Sequence, residues 1–228
     1  LRNFVHAIAD EERDKVEDVF QSMQWLSRQI GLLKPSTPGC NELLAGELQR
    51  TRHFANINFA LTTGDIVCSA IRPAGRINIA DRESFQKALV RRGVTAGGLV
   101  KGLISGRNVI PFYFPVADQS GRLHGVLVIT LGMDELERSL GKLNLPPGAR
   151  IGLVSDKGDI VIRAPDPEAL TGKNFADSDF FRNMVAAGWN GSGDIRGFDG
   201  VLRINEFTRF MDFDEGHLTL FMTVPRSF

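Results

Sequence analysis

Cys40 and His53 are the residue types that could form a nucleophile and its base. A catalytic thiolate needs an activating partner, and known cases show it as a local spacing around the Cys. Cys40 instead follows the break Pro35-Ser36-Thr37-Pro38-Gly39, and no such spacing surrounds it. No catalytic residue is therefore expected. The four histidines, His6, His53, His124 and His217, are scattered, and no CxxC occurs. That excludes the usual metal spacings, so no metal is expected. Asp212-Phe213-Asp214-Glu215 could attract a cation, but a solvated acidic turn explains it more simply. The glycines between 188 and 197 lack the strand, glycine turn and helix order of a dinucleotide loop, so no cofactor is expected. Cys40 and Cys68 could form a disulfide in an oxidising compartment or stay as thiols in a reducing one; composition leaves both open.

The elements that must position any site are those of an ordinary globular chain. A hydrophobic fraction of 43% and a charged fraction of 24% exclude a disordered tail. The 228 residues suffice for one large domain or two small ones. Lys+Arg and Asp+Glu both number 27, so no basic excess offers a surface to phosphates, and nucleic acid is not expected as a partner. Phe numbers 16 and Tyr 1, which favours buried aromatic packing over a stacking platform for bases. No apolar run reaches the roughly 18–20 residues needed to cross a bilayer. The first residue is not Met, which leaves flanking segments, including membrane ones, open.

Along the chain, Phe4, Ile8, Val16, Val19, Phe20, Met23, Leu26, Ile30 and Leu33 recur at helical steps. They predict one helix over 4–33, about 45 Å long at 1.5 Å per residue. Its stripe either packs on its own domain or faces a second chain, as a homodimer through this helix. A shorter helix is expected over 41–52. Strands 57–61 and 66–71, joined by Thr62-Thr63-Gly64-Asp65, read as a hairpin. Asp81 is expected to cap a helix over 82–91, because its carboxylate can accept bonds from the first free amides. Strands are expected over 99–105, 109–116 and 123–131, then a helix over 133–143 and a boundary at Pro146-Pro147-Gly148. Two strands, a helix and a meander make an antiparallel sheet with helices against it.

The second half repeats this plan. Leu61-Thr62-Thr63-Gly64-Asp65-Ile66-Val67 recurs as Leu153-Val154-Ser155-Asp156-Lys157-Gly158-Asp159-Ile160-Val161. Ala80-Asp81 before a helix with Phe85 recurs as Ala176-Asp177 before a helix with Phe181. A hairpin at Phe198-Asp199-Gly200 and a strand over 218–224 match the meander. Each match is weak alone, but the shared order is a fold-level signal. The expected fold is α+β: a long N-terminal helix, then two tandem PAS-like modules, each an antiparallel sheet flanked by helices. The expected divisions are 1–53, 54–143 and 144–228.

Asn56-Ile57-Asn58-Phe59-Ala60, Asp65-Ile66-Val67-Cys68-Ser69-Ala70, Ala80-Asp81-Arg82-Glu83-Ser84-Phe85, Ile104-Ser105-Gly106-Arg107, Tyr113-Phe114-Pro115-Val116 and Gly121-Arg122-Leu123-His124-Gly125-Val126 together resemble the double Cache sensor family. The form it is most similar to precedes diguanylate cyclase and histidine kinase outputs. The resemblance covers the whole chain and is strongest from Cys40 to Leu136. It implies binding rather than turnover, and a periplasmic location between two helices anchored in the inner membrane, with 223–228 as the exit. That compartment implies the Cys40–Cys68 disulfide. It further implies that the membrane-distal module, 54–143, holds a small organic ligand between its first helix and its sheet.

Under the resemblance, Arg82 matches the arginine that holds a ligand carboxylate, which its planar fork of donors suits. It could equally be a surface residue paired with Glu83 or solvent. Phe85 matches an aromatic wall, with plain core as the other reading. Tyr113, in an apolar strand, has a hydroxyl that needs a partner when buried, either a ligand or a carbonyl. Lys101 is a second anion contact or solvated. Thr130 shares a strand face with Val126 and Val128, and lines the pocket or fills core. Amino-acid-binding members of the family resemble one another in an Arg-x-Trp-Tyr pattern and a later acid that takes the ligand ammonium. Here Ser84 stands at the Trp position and Thr130 at the acid. The expected ligand is therefore a carboxylate without an amine, or a neutral molecule. The rival expectation is a sensor that docks a periplasmic protein and has no small-molecule ligand.

Overall fold

The structure, a computed structural model, describes residues 1–31, 38–118, 120–165, 172–197, 199–214 and 216–226. Its elements run α1 (Arg2–Ile30), α2 (Pro38–Arg50), β1 (Phe54–Leu61), β2 (Ile66–Ser69), α3 (Glu83–Arg91), β3 (Thr95–Ala96), β4 (Val100–Lys101), β5 (Asn108–Ala117), β6 (Leu123–Gly132), α4 (Asp134–Gly141), β7 (Arg150–Ser155), β8 (Ile160–Ala164), α5 (Asp179–Ala186), β9 (Gly191–Arg196), β10 (Leu202–Phe213) and β11 (Gly216–Pro225). This is the expected α+β order, a long helix followed by two sheet modules. The chain forms two compact units. One comprises Lys15–Asp134 with Phe213–Glu215; the other comprises Leu1–Asp14, Glu135–Asp212 and Gly216–Phe228.

In the first-sheet unit the strand order is β2-β1-β6-β5-β3, with β4 also on β5, and every pair is antiparallel. Register decides what each face carries, because side chains alternate across a strand. Asn56 lies opposite Thr130, Asn58 opposite Val128 and Ala60 opposite Val126. Pro111 lies opposite Thr130 and Tyr113 opposite Val128. These residues share the face that α3 covers, where Phe85 and Ala88 pack on Ala60, Tyr113, Val126 and Val128. The other face presents Ile57, Phe59, Phe112, Leu127 and Ile129, all buried. There the Phe20 ring of α1 meets Phe112 edge-on at 6.0 Å. With both faces covered, β1 is buried from Phe54 to Ala60, and that buried run includes the polar Asn56 and Asn58.

The second-sheet unit has the order β8-β7-β11-β10-β9. Its core joins Val154, Ile160, Phe207 and Phe221 of the sheet to Phe180, Phe181 and Met184 of α5.

The internal repeat has a physical cause in the two hairpin turns. Asn78 donates from Nδ2 to the Thr63 carbonyl at 3.1 Å and to Asp65 Oδ1 at 2.8 Å, and its Oδ1 accepts from the Ala80 amide at 2.9 Å. Asn174 makes the matching bonds to the Lys157 carbonyl (2.8 Å), Asp159 (2.8 Å) and the Ala176 amide (3.0 Å). Gly64 (φ +88°) and Gly158 (φ +89°) sit where a Cβ would fall 2.5 Å from the Ala80 nitrogen and 2.6 Å from the Ala176 nitrogen. The Gly-Asp and Asn-x-Ala signals are thus two halves of one tertiary motif, built twice.

Several expected elements shift. The first helix ends at Ile30; of the expected break at 35–39, residues 35–37 lie outside the described residues, and Pro38 and Gly39 instead begin α2. Near its start α1 buries Val5 and Ala9, whereas Phe4 is 41% exposed; the apolar stripe there is one residue out of phase with the expected one. Asp81 does not cap α3. The Arg82 amide bonds to the Ile79 carbonyl at 3.1 Å, and this turn delays the helix by one residue, so Arg82 is the cap and makes no side-chain cap bond. The strand expected over 99–105 is the pair Val100–Lys101; beyond it, a Gly102–Gly106 turn bonded to Arg107 replaces the ladder. Phe198 of the expected hairpin lies outside the described residues.

Candidate ligand-binding site

The α3 side of the first sheet is apolar at one end and polar at the other, and a cavity of about 270 Å³ opens at the polar end. Its floor is sheet: Asn56 and Asn58 of β1, Pro111 and Tyr113 of β5, Val128 and Thr130 of β6. Its rim is Asp81, Arg82, Glu83 and Ser84 at the start of α3, and the glycine-rich segment from Gly97 to Ser105.

The floor is held by a hydrogen-bond network. Asn56 Nδ2 donates to Asn58 Oδ1 at 3.0 Å and to Ser69 Oγ at 3.2 Å. Asn56 Oδ1 accepts from the Ile71 amide at 3.0 Å. Ser69 Oγ also lies 2.7 Å from Asn58 Oδ1. With that oxygen taken, Asn58 has its amino group to offer a ligand. Thr130 Oγ1 donates to the Asn56 carbonyl at 3.0 Å, which leaves its lone pairs as acceptors. Buried polar groups tied in this way form a preorganised floor rather than an apolar one.

The rim carries the charges. Arg82 has a side chain 38% exposed, and its Nε stands 3.9 Å from Asp81 Oδ1, too far for a hydrogen bond. Glu83 is held by Lys87 at 2.6 Å. Lys101, exposed on β4, adds a second cation. The start of α3 is anchored through Ser84, whose carbonyl accepts from Thr95 Oγ1 at 2.6 Å and whose Oγ donates to the Ala96 carbonyl at 3.3 Å. The Ala96 amide in turn donates to Asp214 Oδ2 at 2.9 Å.

Four of the five residues singled out in the sequence, Arg82, Lys101, Tyr113 and Thr130, meet at this cavity. Phe85 does not line it. Phe85 is 1% exposed and packs in the apolar half of the same interface, since its helix position turns it toward Ala60 and Val126. Sequence reading missed Asn56 and Asn58. Their signal was legible: two asparagines two residues apart in an otherwise apolar strand put both amides on one sheet face. Cys40 is bonded to Cys68, which removes the thiol, and His53 Nε2 lies 3.3 Å from Asp18 Oδ2. Among the described residues no helix is long and apolar enough to cross a membrane.

A model of the Cache domain, in its double form (dCache_1), matches residues 1–228. No curated protein matches the chain. Among solved structures, the extracellular domain named for the histidine kinase rpHK1S-Z16 superimposes with a TM-score of 0.82 at 18% identity, covering 100% of this chain and 93% of that one. The periplasmic sensory domain of the Campylobacter jejuni chemoreceptor Tlp1 gives 0.74 at 14% identity, covering 100% and 94%. The ligand-binding domain of the Pseudomonas aeruginosa PAO1 amino acid chemoreceptor PctC, in complex with GABA, gives 0.70 at 19% identity, covering 97% and 96%.

Proposed function

This chain belongs to the double Cache domain family, a family of extracytoplasmic sensor domains rather than enzymes, and from that premise we propose that it binds a small organic carboxylate in the cavity between α3 and the first sheet. The observation that carries this reading is the convergence of Arg82 and Lys101 on a cavity whose floor is hydrogen-bonded polar side chains. A guanidinium held by one loose ion pair can exchange that partner for a ligand carboxylate at modest cost. The volume, about 270 Å³, is below the range of drug-sized pockets and suits a molecule of a few to about ten heavy atoms. GABA, the ligand named for the PctC domain, is itself a carboxylate.

In this reading residues 54–143 are the membrane-distal module and 144–228 the proximal one. The parent protein is held in the inner membrane by helices on either side, and pairs through the N-terminal helix. The ligand acts as an input by binding one of two receptor states more tightly, since an equilibrium moves only by that difference.

The test is a thermal-shift screen of small mono- and dicarboxylates and α-amino acids, on the natural chain and on Arg82→Ala. At a concentration 100 times its Kd, a ligand adds about 2.7 kcal/mol of stability. A carboxylate that raises the Tm of the natural chain and has no effect on Arg82→Ala is the expected result. An equal rise in both chains would remove the ligand from this site.

A further inference from the structure

On the premise that the cavity between α3 and the first sheet binds a carboxylate, we propose that its ligand is a hydroxy acid, whose hydroxyl the sheet floor seats between Asn58 and Thr130. The asparagine amides take their orientation from the backbone. The Ile71 amide can only donate, so the Asn56 atom it reaches at 3.0 Å is Oδ1. The Asn56 amino group then points into the network, where it donates to Ser69 Oγ at 3.2 Å and to Asn58 at 3.0 Å. The Asn58 atom that receives this bond has to be its oxygen, which leaves the Asn58 amino group for the cavity. Among the described residues that amino group has no hydrogen-bond partner. Thr130 spends its one hydrogen on the Asn56 carbonyl at 3.0 Å, so its oxygen can only accept. Thr130 lies opposite Asn56, and Asn58 lies opposite Val128, one step along the same face. Diagonal neighbours of this kind have Cα atoms about 7–8 Å apart, close enough for one small group to touch both side chains. The floor thus presents a donor and an acceptor side by side.

A hydroxyl both accepts and donates, so it answers Asn58 and Thr130 at once. A keto oxygen accepts from Asn58 but has no hydrogen for Thr130. An ammonium donates to Thr130 but meets the Asn58 amino group as one donor meets another, and no carboxylate stands on the floor to balance its charge. The carboxylates among the described lining residues are Asp81 and Glu83, both on the rim. Asp81 has a side chain 81% exposed, and Glu83 is held by Lys87 at 2.6 Å. An acid with no substituent leaves both floor groups without a partner. Sites built to hydrogen-bond a hydroxyl reject the analogue lacking it for that reason.

The experiment varies one substituent on a fixed carbon skeleton. Lactate, pyruvate, propionate and alanine, and separately 3-hydroxybutyrate and butyrate, are titrated calorimetrically into the natural chain and into Arg82→Ala. At least one hydroxy acid is expected to bind the natural chain tenfold or more tighter than every other acid on its skeleton. Thr130→Val keeps the side-chain shape and removes the acceptor, so it should cut that preference below threefold and leave the affinity for the unsubstituted acid unchanged. Should Thr130→Val fail to fold, Asn58→Asp is read. It keeps an acceptor for Asn56 and Ser69 but sets an anion where the donor stood, so the preference should pass from lactate to alanine. A preference that survives the variant read would overturn the proposal. Binding that depends on Arg82 but shows no preference for the hydroxyl removes the hydroxy acid alone. No binding in either series, or equal binding to Arg82→Ala, removes the carboxylate reading and the hydroxy acid with it.

Discussion

Gly64 and Gly158 show how one atom can matter at the residue scale. Both have positive φ and both would push a Cβ into a backbone nitrogen. Gly158→Ala should cost at least about 1–2 kcal/mol from the left-handed conformation alone, with the clash added. Gly64→Ala should cost a similar amount. Gly121, at φ +77° with nothing within 4 Å of its Cβ position, separates the two effects. Urea unfolding should show Gly121→Ala losing less than either; equal losses would mean the clash is relieved by easy backbone movement. His217 gives a pH dependence. Burial holds its imidazole below the ordinary 6.5, with Arg209 adding to the effect and Asp156 and Asp212 opposing it. The folded state therefore favours the neutral ring. Stability is fully present above the unfolded value of about 6.5, falls as pH drops below it, and stops falling below the folded value. His217→Phe should flatten this part of the pH profile of unfolding free energy.

At the element scale the Cys40–Cys68 bond ties α2 to β2 across 28 residues of sequence. Closing a loop of that length contributes about 3–4 kcal/mol in the chain-entropy picture. The Cys40→Ala/Cys68→Ala chain should lose that much in chemical denaturation while keeping its far-ultraviolet circular dichroism. The network beneath the first cavity behaves as one element too. Asn58→Leu removes the acceptor shared by Asn56 and Ser69, which keep each other and the Ile71 carbonyl as partners, and takes the amide off the cavity floor, so ligand-induced stabilisation should vanish while stability falls by about 0.5–1.5 kcal/mol per lost hydrogen bond. A ligand response that survived this change would show that the floor is scaffolding only.

At the scale of the whole molecule the open question is pairing of two chains through α1. Trp25, 43% exposed on that helix, is a large apolar surface with no core to fill. With both native cysteines bonded, Trp25→Cys would be the one reactive thiol. In a chain tethered to a bilayer, a bis-maleimide should join two copies there in high yield. Persistence of single copies would count against the dimer.

The sequence by itself determined the order of elements, the repeat and four residues of the candidate site. The order and the repeat rest on local physics, helical and strand periodicity with glycine and asparagine in turns, whereas the four residues came from the resemblance to the double Cache family. It did not place the start of α3, because a turn bonded through Ile79 and Arg82 outweighed the capping preference of Asp81. It did not separate Phe85 from the cavity, since core and cavity share one helix–sheet interface and only packing divides them. Nor did it reveal that Asn58 and Thr130, far apart in the chain, become diagonal neighbours on adjoining strands. Strand register makes such neighbours, and register is a property of the assembled sheet.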